Sequence, residues 1–118
     1  MICEKNMYAI YRTKTFDKEF LKQLSHEEQR EVELLEKKQL TVNPYVGDHL
    51  HYPFLREKKI GGKRIYFLIY EDLKVVLMVR ISDKKAQQET IDHIKILLDD
   101  YFELIKKTLK QHDEYDPV

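Results

Sequence analysis

The chain has 118 residues, of which 42% are hydrophobic and 36% are charged, and its 21 Lys/Arg residues balance its 21 Asp/Glu residues. This length predicts one domain with one core, the composition excludes a disordered chain, and no apolar run approaches the roughly 20 residues that a membrane helix needs. Cys3 is the only cysteine, which excludes an internal disulfide and a cysteine-based zinc site. Because the first residues also lack a signal-peptide pattern, we expect a cytoplasmic protein with no membrane segment.

The first part of the chain predicts a strand followed by a helical hairpin. β-branched and aromatic residues fill Met7–Thr13, a length suited to a strand. Thr15 is a suitable N-cap for a helix with apolar residues at every fourth position from Phe16. Ser25 and Glu28 have the capping-box spacing of a second helix. The connection of one or two residues predicts that the two helices lie antiparallel.

A loop and three strands follow the helical hairpin. Asn-Pro, Gly-Asp and Tyr-Pro pairs mark Asn43–Pro53 as a loop. The predicted strands are Phe54–Ile60, Lys63–Tyr70 and Lys74–Ile81. The last two contain unbroken apolar runs, which are typical of central strands that are buried on both faces.

A long helix ends the predicted domain. Ser82 or Asp83 caps it, its apolar stripe runs from Ile91 to Ile105, the helix ends at about residue 111, and residues 112–118 form a frayed tail. The element order β-α-α-β-β-β-α predicts a single α+β domain over residues 1–118, with its core at about residues 7–95. We expect an antiparallel sheet that carries the N-terminal helical hairpin on one face, together with the long C-terminal helix.

The neutral total hides an uneven distribution of charge. Residues 55–85 contain nine Lys/Arg and four Asp/Glu residues, whereas residues 1–54 contain eight and nine, and residues 86–118 contain four and eight. A basic middle third between near-neutral and acidic flanks predicts an anionic partner for that third.

Gly61-Gly62 predicts a two-residue hairpin turn within this basic third, because glycine adopts positive φ freely. The turn pairs Lys59 with Arg64 and Glu57 with Tyr66. Alternation of side chains places these four residues on one face of the sheet. The opposite face carries most of the aliphatic and phenyl groups, so we assign it to the helical layer. Three cations share that second face and are expected at its margin: Arg56, Lys58 and Lys63.

Lys59 and Arg64 are like charges directly across a strand pair, an arrangement that destabilises a sheet unless an anion binds. Lys84 and Lys85 end the last strand beside the start of the long helix, whose free N–H groups also favour an anion. The face on which Arg80 lies stays open. The alternative interpretation is that a charged hairpin protects the edge of the sheet from pairing with other chains.

The chain resembles the RelE/ParE superfamily of toxin–antitoxin toxins over roughly residues 8–94. The resemblance rests on the element order and on three segments, "NPYVGDHL", "LREKKIGGKRIYFLIYED" and "VVLMVRISDKKAQQETI". The best marker is a short turn, an arginine and an aromatic-aliphatic strand, here "GGKRIYFLIY". RelE-like toxins cut messenger RNA on the ribosome without a metal or cofactor, and a cognate antitoxin protein neutralises them. The resemblance implies the same for this chain.

The family's chemistry uses the RNA 2′-hydroxyl as nucleophile and leaves a 2′,3′-cyclic phosphate. On the resemblance, Arg64 binds the transition-state phosphate, and Lys85 is a second phosphate contact or proton donor. The strand before the turn supplies lysines in some members and a glutamate in others, so the candidates here are Glu57, Lys58 and Lys59. The alternation of side chains favours Glu57 or Lys59, and which residue acts as the general base stays open. Six further residues are expected to contact RNA: Arg56, Lys58, Lys63, Lys84, Tyr66 and Arg80.

The chain departs from the family after the last strand. Gln87, Gln88 and Ile91 stand where many active members carry a tyrosine or a histidine. The alternative function is therefore a non-catalytic toxin-fold protein that acts by binding, either as a ParE-like inhibitor of DNA gyrase or as an inactive homologue. The long last helix is expected either to cover the open face of the sheet or to form a homodimer surface.

Overall fold

The computed structural model describes residues 7–115, with side chains described for residues 7–111. Its main elements are β1 (Ala9–Arg12), α1 (Lys14–Gln23), α2 (His26–Leu34, continued by a π-helical segment at Leu35–Leu40), β2 (Asp48–Leu50), β3 (Tyr52–Ile60), β4 (Lys63–Tyr70), β5 (Val75–Asp83), α3 (Gln87–Ile96) and α4 (Leu98–Tyr115). The predicted α+β class is confirmed. Cys3 and residues 116–118 of the predicted tail lie outside the described residues, whereas residues 112–115 continue α4.

The five strands form one sheet in the order β1-β5-β4-β3-β2. The antiparallel pairing of β3, β4 and β5 follows the prediction, but β1 runs parallel to β5, with Ala9 opposite Val75. The sheet is therefore mixed rather than wholly antiparallel. Strand direction depends on the hairpins and on the path of the helices, and neither is visible in the residues of β1. The predicted loop at 43–53 also contains β2, which pairs with β3.

The Gly61-Gly62 turn has the predicted register, with Ile60 opposite Lys63 and Lys59 opposite Arg64. Gly61 has a φ of 59°, and Gly62 lies outside the left-handed region. A positive φ at the first central residue alone fits a type II′ turn, whose twist suits an antiparallel pair. This turn fixes which side chains of β3 and β4 share a face.

The caps of the two leading helices decide how they join the sheet. Thr13, and not the predicted Thr15, caps α1, because its Oγ1 accepts a hydrogen bond from the Phe16 N–H at 2.9 Å. The same hydroxyl donates to the carbonyl of Val79 on β5 at 3.0 Å, which fixes the start of α1 to the sheet. The predicted capping box of α2 is confirmed, with Ser25 and Glu28 exchanging hydrogen bonds.

The sheet separates two hydrophobic cores. The helical hairpin packs on the predicted face, and its core contains Phe16, Phe20, Leu24, Val32, Ile65, Phe67 and Ile69. The other face packs against α3 and α4, in a core that contains Leu55, Tyr66, Leu68, Leu77, Ile91, Ile94, Tyr101 and Ile105. The last helix therefore covers that face, which was one of the two expectations for it.

The single long C-terminal helix of the prediction is two helices, because the backbone leaves helical geometry at Leu97, with φ −96° and ψ 10°. The break redirects the chain so that Ile91 and Ile94 of α3 and Tyr101 and Ile105 of α4 all reach the same core. Within residues 7–115, no helix is both long enough and apolar enough to cross a membrane.

Candidate functional site

Arg64 lies on the sheet face that α3 and α4 cover. It occupies β4 between Lys59 on β3 and Ser82 on β5, and only 8% of the residue is exposed. Its buried Nε has no hydrogen-bond partner among the described residues, and the ion pairs between described side chains do not include it. Buried guanidinium nitrogens are normally bonded to an acceptor. The Nε of Arg64 is therefore an unused donor, suited to an oxyanion.

Glu57 lies on the same face of the neighbouring strand β3 and is 3% exposed. Its Oε1 accepts a hydrogen bond from Nε2 of Gln87, in the first turn of α3, at 2.7 Å. Because β4 separates β3 from β5, this bond closes over β4 on the face where Arg64 and Tyr66 lie. The start of α3 therefore shields Arg64 and Glu57 from solvent.

Tyr66 is fully buried beside this contact, directly across from Glu57. Its hydroxyl lies 2.9 Å from Oγ of Ser82, and that Oγ donates to the carbonyl of Asp83 at 2.9 Å. The two hydroxyls and the Asp83 carbonyl therefore form a short hydrogen-bonded chain. Burial raises the pKa of Tyr66 to about 12. The ring packs in the core, so it is not positioned here to stack on a base.

The lysines of the predicted site differ in position. Lys59, Lys84 and Lys85 are exposed, and the carboxylate of Asp83 steadies the turn that carries the last two by accepting the Ala86 N–H at 2.9 Å. Lys58 and Lys63 are half-buried and lie on the face of the helical hairpin. The structure therefore arranges exposed ammonium groups at the margin of the face where Arg64 and Glu57 are buried.

Two of the predicted RNA-binding arginines are held by other groups. Arg80 lies opposite Tyr66 beside a register shift, and its side chain reaches Glu19 of α1, which accepts from its Nε at 3.0 Å and from its Nη2 at 3.1 Å. Its Nη1 lies 2.9 Å from Nδ1 of His93 on α3. Arg56 donates to the carbonyls of Val46 and Gly47, in the loop before β2, and to that of Pro53, in its own strand β3.

Glu19 and Gln87 were not predicted as site residues. Glu19 binds Arg80 from α1, and Gln87 binds Glu57 from α3. Gln87 had a local signal, since it is a polar residue in the first turn of the helix that follows Lys85. Glu19 borders the buried stripe of α1, but its sequence position gives no sign of its partner on β5.

Solved structures with the same arrangement of elements identify the fold. A mutant of the E. coli toxin RelE in the free state superposes with a TM-score of 0.61 at 17% identity, covering 75% of this chain and 98% of that chain. A chain of the toxin–antitoxin complex RelBE2 from Mycobacterium tuberculosis gives 0.58 at 20% identity, covering 66% and 99%. This chain has a RelE-like fold.

A third RelE-like structure is an E. coli RelE mutant in complex with a peptide of its antitoxin, RelBc. It superposes with a TM-score of 0.51 at 17% identity, covering 71% of this chain and 94% of that chain. No protein-family profile and no curated protein sequence matches the chain. At these identities the comparisons show the RelE-like fold, which confirms the resemblance read from the sequence, and the roles of individual residues follow only from the local geometry.

Proposed function

We propose that this protein is the toxin of a toxin–antitoxin pair and that it cleaves messenger RNA on the ribosome. The observation that supports this proposal best is the unused Nε donor of Arg64 on a RelE-like sheet. Lys59, Lys84 and Lys85 are exposed at the margin of the same site. Guanidinium and ammonium groups together match the charge that develops on a phosphate during cleavage.

In the proposed reaction, the 2′-oxygen of a ribose attacks the adjacent phosphorus, and the bond to the 5′-oxygen of the next nucleotide breaks. Either the Glu57 carboxylate or the Lys59 amine takes the proton of the 2′-hydroxyl. Arg64 stabilises the phosphorane, and Lys85 gives a proton to the leaving 5′-oxygen. The products are a 2′,3′-cyclic phosphate and a free 5′-hydroxyl.

The proposed reaction requires α3 to move. Arg64 is 8% exposed and Glu57 is 3% exposed, so neither meets a ribose phosphate while Gln87 holds Glu57. The side chains of Ile91 and Ile94 must slide or lift with the helix, because both pack on the same face. We propose that binding to the ribosome favours the displaced position of α3.

Induced expression in a bacterial host tests the proposal. The wild-type protein is expected to stop growth, and primer extension should map breaks inside codons of translated messages. Arg64→Ala should abolish both effects while keeping the thermal unfolding midpoint close to that of the wild type. Arg30→Ala removes the same charge from an exposed position on α2 and should remain toxic. Breaks that persist in the Arg64→Ala strain contradict the role of Arg64.

The covered site supports a second candidate function, in which the protein inhibits its target by binding alone. Glu57, Arg64 and Tyr66 are all buried under α3 and α4, as expected if this face no longer receives a substrate. In that case induced expression stops growth while messages stay intact. Loss of DNA supercoiling in the same cells then indicates a gyrase inhibitor of the ParE type.

We further propose that a cognate antitoxin protein binds this chain. Two RelE-like structures with similar folds are complexes with an antitoxin chain or peptide. Co-expression of a small neighbouring reading frame should restore growth, and its product should co-purify with this protein in a fixed ratio. Growth that stays arrested under co-expression contradicts that pairing.

A further inference from the structure

A groove opens beside the candidate site, where β5 continues beyond the end of β1. β1 pairs with β5 only as far as Met78, so Val79–Asp83 has no neighbouring strand on its outer edge within the described residues. The side chains of α1 form one wall of the groove and the start of α3 forms the other. The cavity between them measures about 810 Å³, which is within the usual range for ligand sites.

The charged groups that line the groove are mainly cationic. Lys18 and Lys22 of α1, Lys63 of β4 and Arg80 of β5 line it together with the carboxylates of Glu19 and Asp83. Arg80 is neutralised by Glu19 at 3.0 Å. The three lysines form no ion pair among the described side chains. Their ammonium groups are therefore available to an anionic ligand, and they outnumber the one remaining carboxylate.

The backbone N–H and carbonyl of Ile81, on the outer edge of β5, are already hydrogen-bonded and so are not available to an added strand. The carboxylate of Glu19 accepts the N–H of Ile81 at 2.9 Å, and the amide of Gln23 donates to the Ile81 carbonyl at 3.3 Å. An extended peptide that docks on a sheet edge relies on such backbone groups for its hydrogen bonds. Because side chains already occupy them, we expect the groove to recognise a ligand by charge and not by strand pairing.

We propose that this groove binds the phosphodiester backbone of RNA, with Lys18, Lys22 and Lys63 as the phosphate contacts. Lys18 and Lys22 are four residues apart on α1 and so face the same way, with Cβ atoms about 5–6 Å apart. Ser82 both lines the groove and pairs with Arg64 across the strands. A strand of RNA in the groove therefore leads over the edge of β5 to the candidate site. The proposal rests on the proposed function and extends its substrate path.

The test compares two double variants of the full chain by the fluorescence anisotropy of a short fluorescein-labelled single-stranded RNA. Lys18→Gln with Lys22→Gln removes two groove cations, and Arg30→Gln with Lys37→Gln removes two exposed cations elsewhere. The groove variant should bind about 10- to 30-fold more weakly at about 0.1 M salt, and the slope of log K against log salt should fall in magnitude by about 1.4. The control should keep the wild-type slope, and an unchanged slope in the groove variant overturns the proposal.

Two further probes identify the ligand class. A labelled RNA hairpin in a parallel titration distinguishes structured RNA from a single strand, and either one binding through the lysines supports the proposal. A glutamate-rich peptide of matched charge represents an acidic protein partner. The proposal is overturned if that peptide binds in a lysine-dependent way while neither RNA does.

Message cleavage and RNA affinity, measured separately, distinguish this proposal from the proposed function. If the wild type never cleaves messages but the groove variant loses RNA affinity, the catalytic proposal fails and the groove stands. If the wild type cleaves messages and the groove variant binds RNA with the wild-type slope, the groove proposal alone fails.

Discussion

Gln87 donates a hydrogen bond of 2.7 Å to the carboxylate of Glu57, and this contact joins the first turn of α3 to β3 across the intervening strand. It lies beside the apolar contacts of Ile91 and Ile94 with the same face. The polar and apolar contacts together hold α3 over Arg64. The position of α3, and with it access to the candidate site, therefore depends on Gln87.

Gln87→Ala should destabilise the protein by about 1–3 kcal/mol, because it leaves a buried carboxylate without its donor. The free energy of unfolding in urea, followed by circular dichroism, measures the change. Gln88→Ala is a matched control, since Gln88 is exposed and donates a hydrogen bond within its own helix, to Asp92 at 2.9 Å. Its effect should stay within about 0.5 kcal/mol. Equal losses in the two variants would show that the contact with Glu57 contributes little.

Arg12 and Glu36 form a second inter-element contact, which ties β1 to the π-helical segment. Two hydrogen bonds of 2.8 and 2.6 Å join them, and the guanidinium lies 4.2 Å from the ring centre of Phe20. Glu36→Gln should reduce the free energy of unfolding by about 1–3 kcal/mol, because it removes the closer of the two carboxylates that pair with Arg12 and leaves only Asp17, at 3.3 Å. Glu103→Gln breaks the exposed ion pair with Lys106 and should change the free energy of unfolding by less than about 1 kcal/mol.

Glu71 should make stability depend on acidic pH. Its carboxylate accepts hydrogen bonds from Lys74, from Tyr8 at 2.6 Å and from Tyr45 at 2.7 Å, and these donors lower its pKa from 4.5 to about 2. A carboxyl whose pKa falls on folding stabilises the protein above its unfolded pKa and loses that effect as the pH falls through its folded pKa. The stability difference between wild type and Glu71→Gln, measured in urea from pH 7 to pH 2, should hold above about pH 5 and shrink below it. A difference that is constant down to pH 2 contradicts this assignment.

The two turn glycines should differ in their tolerance of alanine. Gly61 has a φ of 59°, and an added Cβ would lie 2.7 Å from Oε2 of Glu28, whereas nothing lies within 4 Å of a Cβ at Gly62. Gly61→Ala should lower the free energy of unfolding by about 1–3 kcal/mol, from backbone strain and the displaced capping-box carboxylate. Gly62→Ala should stay within about 0.5 kcal/mol of the wild type. Thermal unfolding of the two variants side by side measures the contrast.

The turn also shows which parts of this fold are predictable from sequence. Gly61-Gly62 and the alternation of side chains are local patterns, so they give the register of Lys59 opposite Arg64 and the face of each neighbour. β2 has three residues and exists through its pairing with β3, so no pattern of its own marks it. The helix break at Leu97 likewise has no sequence pattern of its own, because the apolar stripe continues on both sides of it.

Some features of the candidate site are likewise predictable from the sequence and others are not. Arg64 could be located because its position follows from the turn and from the strand after it. Its burial could not, because that depends on the angle at which α3 crosses the sheet and on the Gln87–Glu57 contact. The face of Arg80 depends on the register shift opposite Tyr66, and a bulge has no reliable residue signature in a chain of apolar residues.

Glu19 offers a prediction about the exposed edge of β5. One oxygen of its carboxylate accepts both the Ile81 N–H at 2.9 Å and the Arg80 Nε at 3.0 Å. The side chain thereby takes the place of a missing strand and blocks pairing with another molecule, as edge strands in soluble proteins generally require. Glu19→Ala should expose the N–H and leave Arg80 without its counter-charge, with a loss of about 2–4 kcal/mol in the free energy of unfolding.

Glu19→Gln separates the two roles, because the amide oxygen can still accept the Ile81 N–H while the negative charge is gone. Glu19→Ala should associate as its concentration rises, seen as a growing apparent mass in light scattering, whereas Glu19→Gln should match the wild type in that measurement despite lower stability. If both variants associate equally, the charge of Glu19 protects the edge and its hydrogen bond to Ile81 does not. If neither associates, α1 and α3 shield the edge by their bulk alone, and Glu19 serves only to hold Arg80.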